Sequence, residues 1–464
     1  MNNTVERLFE TNLSNTINNM NDETRTNQKR SIIENSIIIE DDYGYIKDGN
    51  GQNVKVTKYT LLNEQKAFIE IINYGATVIS CWVPNALGEL EDVLLGFDTI
   101  EDYRLRNEHY IGCTLGRVTD YISNGNFIND HGSINELSKN HGIHHFNGGE
   151  KGFDKVLWDG YVAGNELVLT YSSIDGEEGY PGTLQARIIF HFTCKNELVV
   201  DYTCMTSKST PVNISTNMFF NLAGHNTGES EILNHSIMVN ADEYVPVKLP
   251  DRIPLGFLKN VHHTCLDLRV PRLLKKAFTL VPDYGYNHTF KLFKGKERKA
   301  FNLATSLVHL PSGRILDIYT DMPCIFVNTA QNFPIYGKMF FDEEVLKITN
   351  ISTPNAKFGI NGNEQTSCVL DEYKSTSDLE MLPEDEQDEE CVIETTSLQS
   401  KFNIHDEPIL GKSNTVYTKH SGICIRPQLF PDAVTYKNFK NSIILKPSNL
   451  YSQRVIYKFG VVTI

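Results

Sequence analysis

The sequence predicts an all-β protein, a large antiparallel twisted β-sandwich. Apolar and polar residues alternate over many short runs, turn residues separate these runs, and helical periodicity is nearly absent. Strands that bury alternate side chains form sheets that pack face to face, so the pattern favours a sandwich over a helical or α/β fold. The 464 residues allow several domains, but sandwiches often reach about 250 residues as one unit.

The clearest predicted hairpin lies between residues 184 and 204. Its first run places apolar side chains on one face, and a turn at Lys195 and Asn196 leads into a second run of the same kind. Similar alternation predicts strands at 315–321, 324–329 and 455–459. The apolar positions of the hairpin are Leu184, Ala186, Ile188, Phe190 and Phe192, then Leu198, Val200, Tyr202 and Cys204.

The pattern of strands does not extend over the whole chain. Residues 1–40 are rich in Asn, Thr, Ser and Glu, and we expect them to be disordered. The sandwich then occupies 41–464, interrupted by an insertion at 333–416. Residues 378–390, which read DLEMLPEDEQDEE, repel each other, so we expect disorder around 366–400. This acidic insertion is either a solubilising surface loop or a docking segment for a basic protein partner.

Composition restricts the partners and the compartment. A net charge of -15 argues against binding to nucleic acid or to an anionic membrane, since both need a basic surface. The first residues lack the apolar core of a secretory signal, and nine cysteines without metal-ligand spacing are typical of reduced thiols. We therefore expect a cytoplasmic protein that uses no metal and no cofactor.

Several segments resemble the aldose 1-epimerase (galactose mutarotase) family. The most specific is 148–158, GGEKGFDKVLW, which is similar to the family's H-G-G-x-x-G-F-D-K-x-x-W signature. The segments 112–122 (GCTLGRVTDYI), 216–224 (TNMFFNLAG) and 421–434 (SGICIRPQLFPDAV) resemble its other motifs in the family's order. The resemblance covers roughly 41–330 and 417–464. It implies the galactose mutarotase-like supersandwich, with a sugar site in a cleft on one sheet.

The resemblance also implies where the chemistry would lie. The family interconverts the α and β anomers of a hexose with a Glu as general base and a His as general acid, and each such group typically contributes about 10²- to 10⁴-fold in rate. Position by position, the base falls on Arg426 and the acid on Met218. A guanidinium keeps its protons and a thioether has none to give, so neither catalytic group is retained.

The positions that hold the sugar in the family also differ. They fall on Asp120, Tyr121, Asn147, Asn287 and Phe326. We expect Arg426 either to pair with Asp120 or Asp432 and close the site, or to bind an anionic ligand such as a sugar phosphate. Three roles are open for the nearby His144 and His145. They are ordinary loop histidines, or one of them replaces a lost proton carrier, or they bind a metal.

These substitutions support three functional hypotheses. The first is a non-catalytic carbohydrate-binding or scaffold pseudoenzyme whose pocket is occluded or reshaped. The second is a divergent aldose 1-epimerase that acts on a free hexose or a sugar phosphate through His144 or His145. The third is a protein-interaction module that uses the acidic insertion.

Overall fold

The computed structural model describes residues 37–129, 132–293, 301–335 and 409–462. Much of the two segments predicted to be disordered, with the acidic run at 378–390, lies outside these residues. The first strand begins at Ile37, inside the segment predicted to be disordered, and strands form again from Ile409, inside the predicted insertion.

The strands of the described residues are, in chain order, β1 (Ile37–Lys47), β2 (Asn53–Leu62), β3 (Phe68–Ile72), β4 (Thr77–Pro84), β5 (Leu90–Asp92), β6 (Thr114–Leu115), β7 (Tyr121–Ile122), β8 (Asn126–Ile128), β9 (Ile134–Glu136), β10 (His145–Phe146), β11 (Asp159–Ala163), β12 (Glu166–Ser173), β13 (Leu184–Phe192), β14 (Glu197–Thr206), β15 (Thr210–Pro211), β16 (Ser215–Thr216), β17 (Phe219–Phe220), β18 (His235–Val239), β19 (Ala241–Val245), β20 (Val247–Lys248), β21 (Ile253–Pro254), β22 (Lys259–Asn260), β23 (Arg272–Leu273), β24 (Asn287–Leu292), β25 (Asn302–His309), β26 (Arg314–Thr320), β27 (Cys324–Asn328), β28 (Ile409–Leu410), β29 (Val416–Tyr417), β30 (Ile423–Gln428), β31 (Ile444–Leu445) and β32 (Tyr451–Val461). Three short helices accompany them, α1 (Ile100–Leu105), α2 (Gly228–Ile232) and α3 (Leu274–Ala277).

Most of these strands form three sheets. A nine-stranded sheet has the order β11-β12-β13-β14-β32-β26-β25-β18-β23, and a six-stranded sheet has the order β17-β30-β27-β24-β19-β22. Strands β1 to β5 form a five-stranded sheet in chain order. The predicted hairpin is confirmed, because β13 pairs antiparallel with β14 from Leu184 opposite Thr206 to Phe192 opposite Leu198.

The main core lies between the nine-stranded and six-stranded sheets. The alternating apolar residues of β13 and β14 are buried there together with Ile325, Val327 and Ile425 of the six-stranded sheet. The ring of Phe220 in β17 lies 6.0 Å from the ring of Tyr457 in β32, across the two layers. The all-β sandwich predicted from period-two alternation is therefore confirmed.

The last part of the predicted insertion is anchored in the fold by a buried lysine. Lys412 donates a hydrogen bond to the carbonyl oxygen of Ile79 at 3.0 Å and forms an ion pair with the carboxylate of Asp92. In the described part of the chain, no helix is long and apolar enough to cross a membrane.

Candidate functional site

A row of side chains across the six-stranded sheet carries several of the predicted site residues. Arg426 of β30 lies opposite Phe326 of β27, which lies opposite Thr289 of β24. Side chains two positions apart on a strand share a face, so Cys424 and Gln428 flank Arg426. Ile423 and Ile425, which alternate with them along β30, belong to the main core. The site residues therefore occupy the other face of this sheet.

Arg426 is almost fully enclosed by protein groups, with 4% of its surface exposed. Its Nη1 donates to Oδ1 of Asn217 at 2.8 Å, and its Nε donates to Oε1 of Gln428 at 3.1 Å. The guanidinium carbon lies 4.6 Å from the centre of the Phe326 ring, within the range of a cation–π contact. Burial lowers the pKa of Arg426, but a guanidinium remains protonated at any physiological pH.

The predicted pair between Arg426 and Asp120 is present but long. Nη2 of Arg426 lies 3.8 Å from Oδ2 of Asp120, and Gln428 bridges the two by donating to the same oxygen at 3.3 Å. The alternative partner Asp432 does not take this role, because its Oδ1 accepts hydrogen bonds from the backbone N–H of Ser123 and from the Thr435 hydroxyl. The internal network therefore consists of Arg426, Asn217, Gln428 and Asp120.

Met218 does not face this network. It is 1% exposed and belongs to the main core together with Phe220, whereas Phe219 pairs with Cys424 and packs in a second apolar cluster. Alternation along the strand thus turns Met218 inward and Asn217 toward Arg426. The TNMFFN segment is one residue shorter than the T-N-H-x-Y-F-N motif it resembles, and a one-residue shift exchanges the two faces of a strand.

Asn217 and Gln428 contact Arg426 but are not among the residues that the sequence predicted for the site. Asn217 also accepts a hydrogen bond from the Cys424 thiol at 3.2 Å, and Gln428 is fully buried. Both lie within one or two residues of a predicted position, in motifs that the sequence made visible. Gln428 could have been found from the sequence, because it is polar and lies two positions from Arg426, on the same face of the strand.

Two hydrogen bonds join Asn147 to the backbone of Asp120. The backbone N–H of Asn147 donates to the carbonyl oxygen of Asp120 at 3.1 Å, and Oδ1 of Asn147 accepts from the backbone N–H of Asp120 at 2.9 Å. Both residues have positive φ, 49° and 71°. Tyr121 follows in β7, and its ring lies 4.6 Å from that of Phe146. Asn147 therefore acts first as a structural partner of the Asp120 loop.

The two candidate histidines occupy different environments. His145 is fully buried, its Nδ1 donates to the carbonyl oxygen of Ser138 at 2.7 Å, and its Nε2 accepts from the Tyr180 hydroxyl at 2.7 Å. Burial lowers the pKa of His145. His144 is partly exposed, lies beside Tyr121, and accepts the backbone N–H of Asn124 at its Nδ1. Of these two histidines, His144 is the one with a ring nitrogen, Nε2, that has no hydrogen-bond partner among the described residues.

Asn287 and Phe326 form the half-buried side of the site. The carbonyl oxygen of Asn287 accepts a hydrogen bond from the Arg252 guanidinium. The neighbouring His288 alternates to the core side of β24, where burial lowers its pKa to about 3. The structure thus brings Asp120, Arg426 and Phe326 together and keeps His145, His288 and Met218 away from them.

Comparison with known proteins agrees with this architecture. A family model described as aldose 1-epimerase matches residues 57–361. The chain is 32% identical to the galactose mutarotase of Bos taurus, over 88% of this chain and 94% of that protein. It is 32% identical to the aldose 1-epimerase of Haemophilus influenzae, over 58% of this chain and 78% of that protein.

Solved structures support the fold. An aldose epimerase homologue from C. elegans superposes with a TM-score of 0.65 at 19% identity, covering 92% of this chain and 100% of that one. A galactose 1-epimerase from Lactobacillus acidophilus superposes with a TM-score of 0.63 at 20% identity, with the same coverage.

Proposed function

Since this chain belongs to the aldose 1-epimerase family, we propose that it is a non-catalytic member that serves as a scaffold or carbohydrate-binding protein. The observation that carries this proposal is the buried guanidinium of Arg426, hydrogen-bonded to Asn217 and Gln428. Interconversion of anomers needs a base at this place, and a guanidinium cannot accept a proton.

The second proton carrier is missing for a different reason. An acid must protonate the ring oxygen while the base takes the proton of the C1 hydroxyl. The residue that faces Arg426 from the 216–224 segment is Asn217, whose amide does not titrate, and Met218 lies in the core. Loss of both carriers predicts a deficit of about 10⁴-fold or more relative to an active family member.

Burial supports a site that is closed to a sugar. The polar atoms that would bind hydroxyl groups already bind each other, and each of the five residues involved is 9% exposed or less. A hexose would have to break these contacts to enter. The five residues are Asp120, Asn147, Asn217, Arg426 and Gln428. Weak carbohydrate binding would then use the half-buried edge at Asn287 and Phe326.

Polarimetry tests the loss of catalysis. Freshly dissolved α-galactose or α-glucose is mixed with the purified protein at neutral pH, and the decay of optical rotation is compared with buffer and with an active mutarotase. We expect the rate to equal that of buffer. A catalysed rate proportional to protein concentration would contradict the proposal.

The second candidate, a divergent epimerase acting on a hexose or a sugar phosphate, is favoured by the 30–32% identity to galactose mutarotases. Of the two histidines proposed for it, His145 has both ring nitrogens engaged, so His144 is the remaining carrier. The His144→Ala variant distinguishes the candidates, because only the enzyme hypothesis predicts that it abolishes a measurable rate.

The scaffold role includes a partner hypothesis for the acidic insertion. Its 13 residues at 378–390 carry eight carboxylates and no basic side chain, which favours a basic protein surface. Deletion of 366–400 should remove such a partner in a pull-down from cytosolic extract while leaving the sandwich folded. Retention of every partner by the deletion variant would exclude this role.

We also propose that the protein works in the cytoplasm. The cysteines in the described part of the chain, at 81, 113, 194, 204, 265, 324 and 424, form no disulfide with one another, and most are buried. Thiols of this kind are typical of reducing compartments. Fractionation of the native cells with a thiol-specific label tests the location, and recovery in a secretory compartment would contradict it.

A further inference from the structure

An open groove lies beside the site described above. It has a volume of about 510 Å³ and is formed by the segment around β8 and by the turns that follow β30. Small-molecule sites commonly enclose about 300 to 1,000 Å³. The groove is lined by Ser123, Asn124, Asn126, Phe127, Ile128, Val434, Thr435, Lys437 and Lys440.

Two lysines give this groove a positive charge. Nζ of Lys440 donates to the carbonyl oxygen of Ile128 at 2.6 Å, which holds its ammonium group at the groove wall. Lys437 is exposed, and among the described residues it has no ion-pair partner. The lining contains no acidic residue, so the side chains of the groove carry a positive charge. The net charge of the whole chain, in contrast, is -15.

Asp432, an acidic residue that contacts two lining residues, is turned away from solvent. Asp432 is 1% exposed, and its carboxylate accepts hydrogen bonds from the Ser123 backbone at 2.9 Å and from the Thr435 hydroxyl at 2.6 Å. These contacts fix two lining residues in place. They also keep the carboxylate away from a ligand in the groove, which favours an anion there.

The remaining lining matches a carbohydrate. The exposed Asn124 and half-buried Asn126 offer amide donors and acceptors of the kind that bind vicinal hydroxyls. Phe127 and Val434 are buried beneath them and form an apolar floor that can pack against the C–H face of a sugar ring.

We propose that this groove binds a small anionic carbohydrate, a sugar that carries a phosphate or a carboxylate. The ammonium groups of Lys437 and Lys440 bind the anion, and the amides of Asn124 and Asn126 bind hydroxyls. None of the lining residues is one of the predicted site residues, so this proposal is independent of whether the protein catalyses anomer exchange.

Isothermal titration calorimetry with the full chain tests the proposal. The probes are glucose 6-phosphate, glucuronate, galactose and inorganic phosphate at low ionic strength. We expect one site that binds at least one of the two charged sugars more tightly than galactose and inorganic phosphate, and that weakens as salt is added. Tighter binding of glucose 6-phosphate would identify the ligand as a sugar phosphate, and tighter binding of glucuronate would identify it as a sugar carboxylate. Equal binding of galactose and the charged sugars, or no binding, would overturn the proposal.

Variants locate the site. Lys437→Gln should weaken binding about two- to fivefold, and the combined Lys437→Gln and Lys440→Gln variant about tenfold. Lys259→Gln, a change at an exposed lysine of β22, is the matched control and should bind like wild type. Melting temperatures verify that each variant is folded. Wild-type affinity in the folded Lys437→Gln variant, or equal loss in the control, would place the ligand elsewhere.

Discussion

Nη1 of Arg426 lies 2.8 Å from Oδ1 of Asn217, so a permanent cation and a neutral amide meet where the family resemblance predicts a proton-transfer pair. The contact joins β30 to the segment before β17 across the outer face of the six-stranded sheet. Under the function proposed above, this one contact accounts both for a site closed to sugar and for the loss of proton carriers.

Replacing Arg426 by Glu should destabilise the protein. The introduced carboxylate would lose the hydrogen bonds to Asn217 and Gln428 and would lie near Asp120, and an unpaired buried charge typically costs about 3 to 5 kcal/mol. Urea denaturation measures the loss. Arg426→Met is the control, because it removes the same hydrogen bonds without adding a negative charge.

The excess cost of Arg426→Glu over Arg426→Met should depend on pH. Burial and the neighbouring Asp120 raise the pKa of the introduced carboxyl in the folded state, so its penalty is present at high pH and is relieved as pH falls. The difference between the two variants should thus be larger at pH 8 than at pH 5. An equal difference at both pH values would mean that the side chain escapes to solvent.

Restoring the family residues at the two predicted positions should not restore activity. In the Met218→His and Arg426→Glu double variant, the imidazole would lie in the main core, because Met218 shares its face with Phe220. Polarimetry should show a rate close to buffer. A rate near that of an active mutarotase would show that position 218 reaches the site. Asn217→His with Arg426→Glu tests the position that does face it.

The loop that carries Asn147 should tolerate no side chain at Gly148. With φ of +93°, a Cβ there would lie 1.7 Å from the carbonyl oxygen of Gly116. We expect Gly148→Ala to cost about 3 kcal/mol or more in unfolding free energy. Gly164→Ala is the matched control, since its φ is +66° and a Cβ there meets nothing within 4 Å, so only about 1 to 2 kcal/mol should be lost. Equal losses of unfolding free energy in the two variants would show that the close contact with Gly116 does not destabilise Gly148→Ala.

Acid should weaken the fold through its buried histidines, and His235 provides the clearest test. Its Nδ1 donates to the Glu231 carbonyl oxygen at 2.8 Å and its Nε2 accepts the Leu222 N–H at 3.0 Å, so the contact at Nε2 needs the neutral ring. Burial lowers its pKa to about 3, below the unfolded value of about 6.5. Its contribution to stability is present above pH 6.5 and is lost as pH falls toward 3.

The measurement for His235 is the slope of unfolding free energy against pH between 6 and 4. The slope is proportional to the number of protons taken up on unfolding, and His235→Gln should remove about one of them. The slope should therefore fall by about 1.4 kcal/mol per pH unit. Other histidines with lowered pKa, such as His225 and His420, remain in both proteins. An unchanged slope would show that His235 takes up no proton on unfolding in this range.

Much of the fold could be predicted from the sequence because strand alternation is a local signal. The hairpin of β13 and β14 and the strands β26, β27 and β32 lie where period two placed them. The site was predicted less completely. The identity of Arg426 was visible in a motif, but its contact with Asn217 depends on pairing between segments about 200 residues apart.

Two further features of the site depend on three-dimensional context. A one-residue difference in the TNMFFN segment exchanges which side chains face the core, so Met218 was assigned to the site although Asn217 occupies it. His145 was a candidate proton carrier because its sequence neighbours resemble a motif, yet its ring nitrogens bind Ser138 and Tyr180. Sequence spacing carries no information on which partner a ring nitrogen finds.

Exchange NMR of the α and β anomers of galactose, at equilibrium and with the wild-type protein, tests the loss of proton carriers most directly. The experiment reports turnover in both directions and needs no coupling enzyme. We predict no exchange cross-peaks beyond those of buffer, with or without the His144→Ala change. Cross-peaks that grow with protein concentration and vanish in His144→Ala would contradict the account.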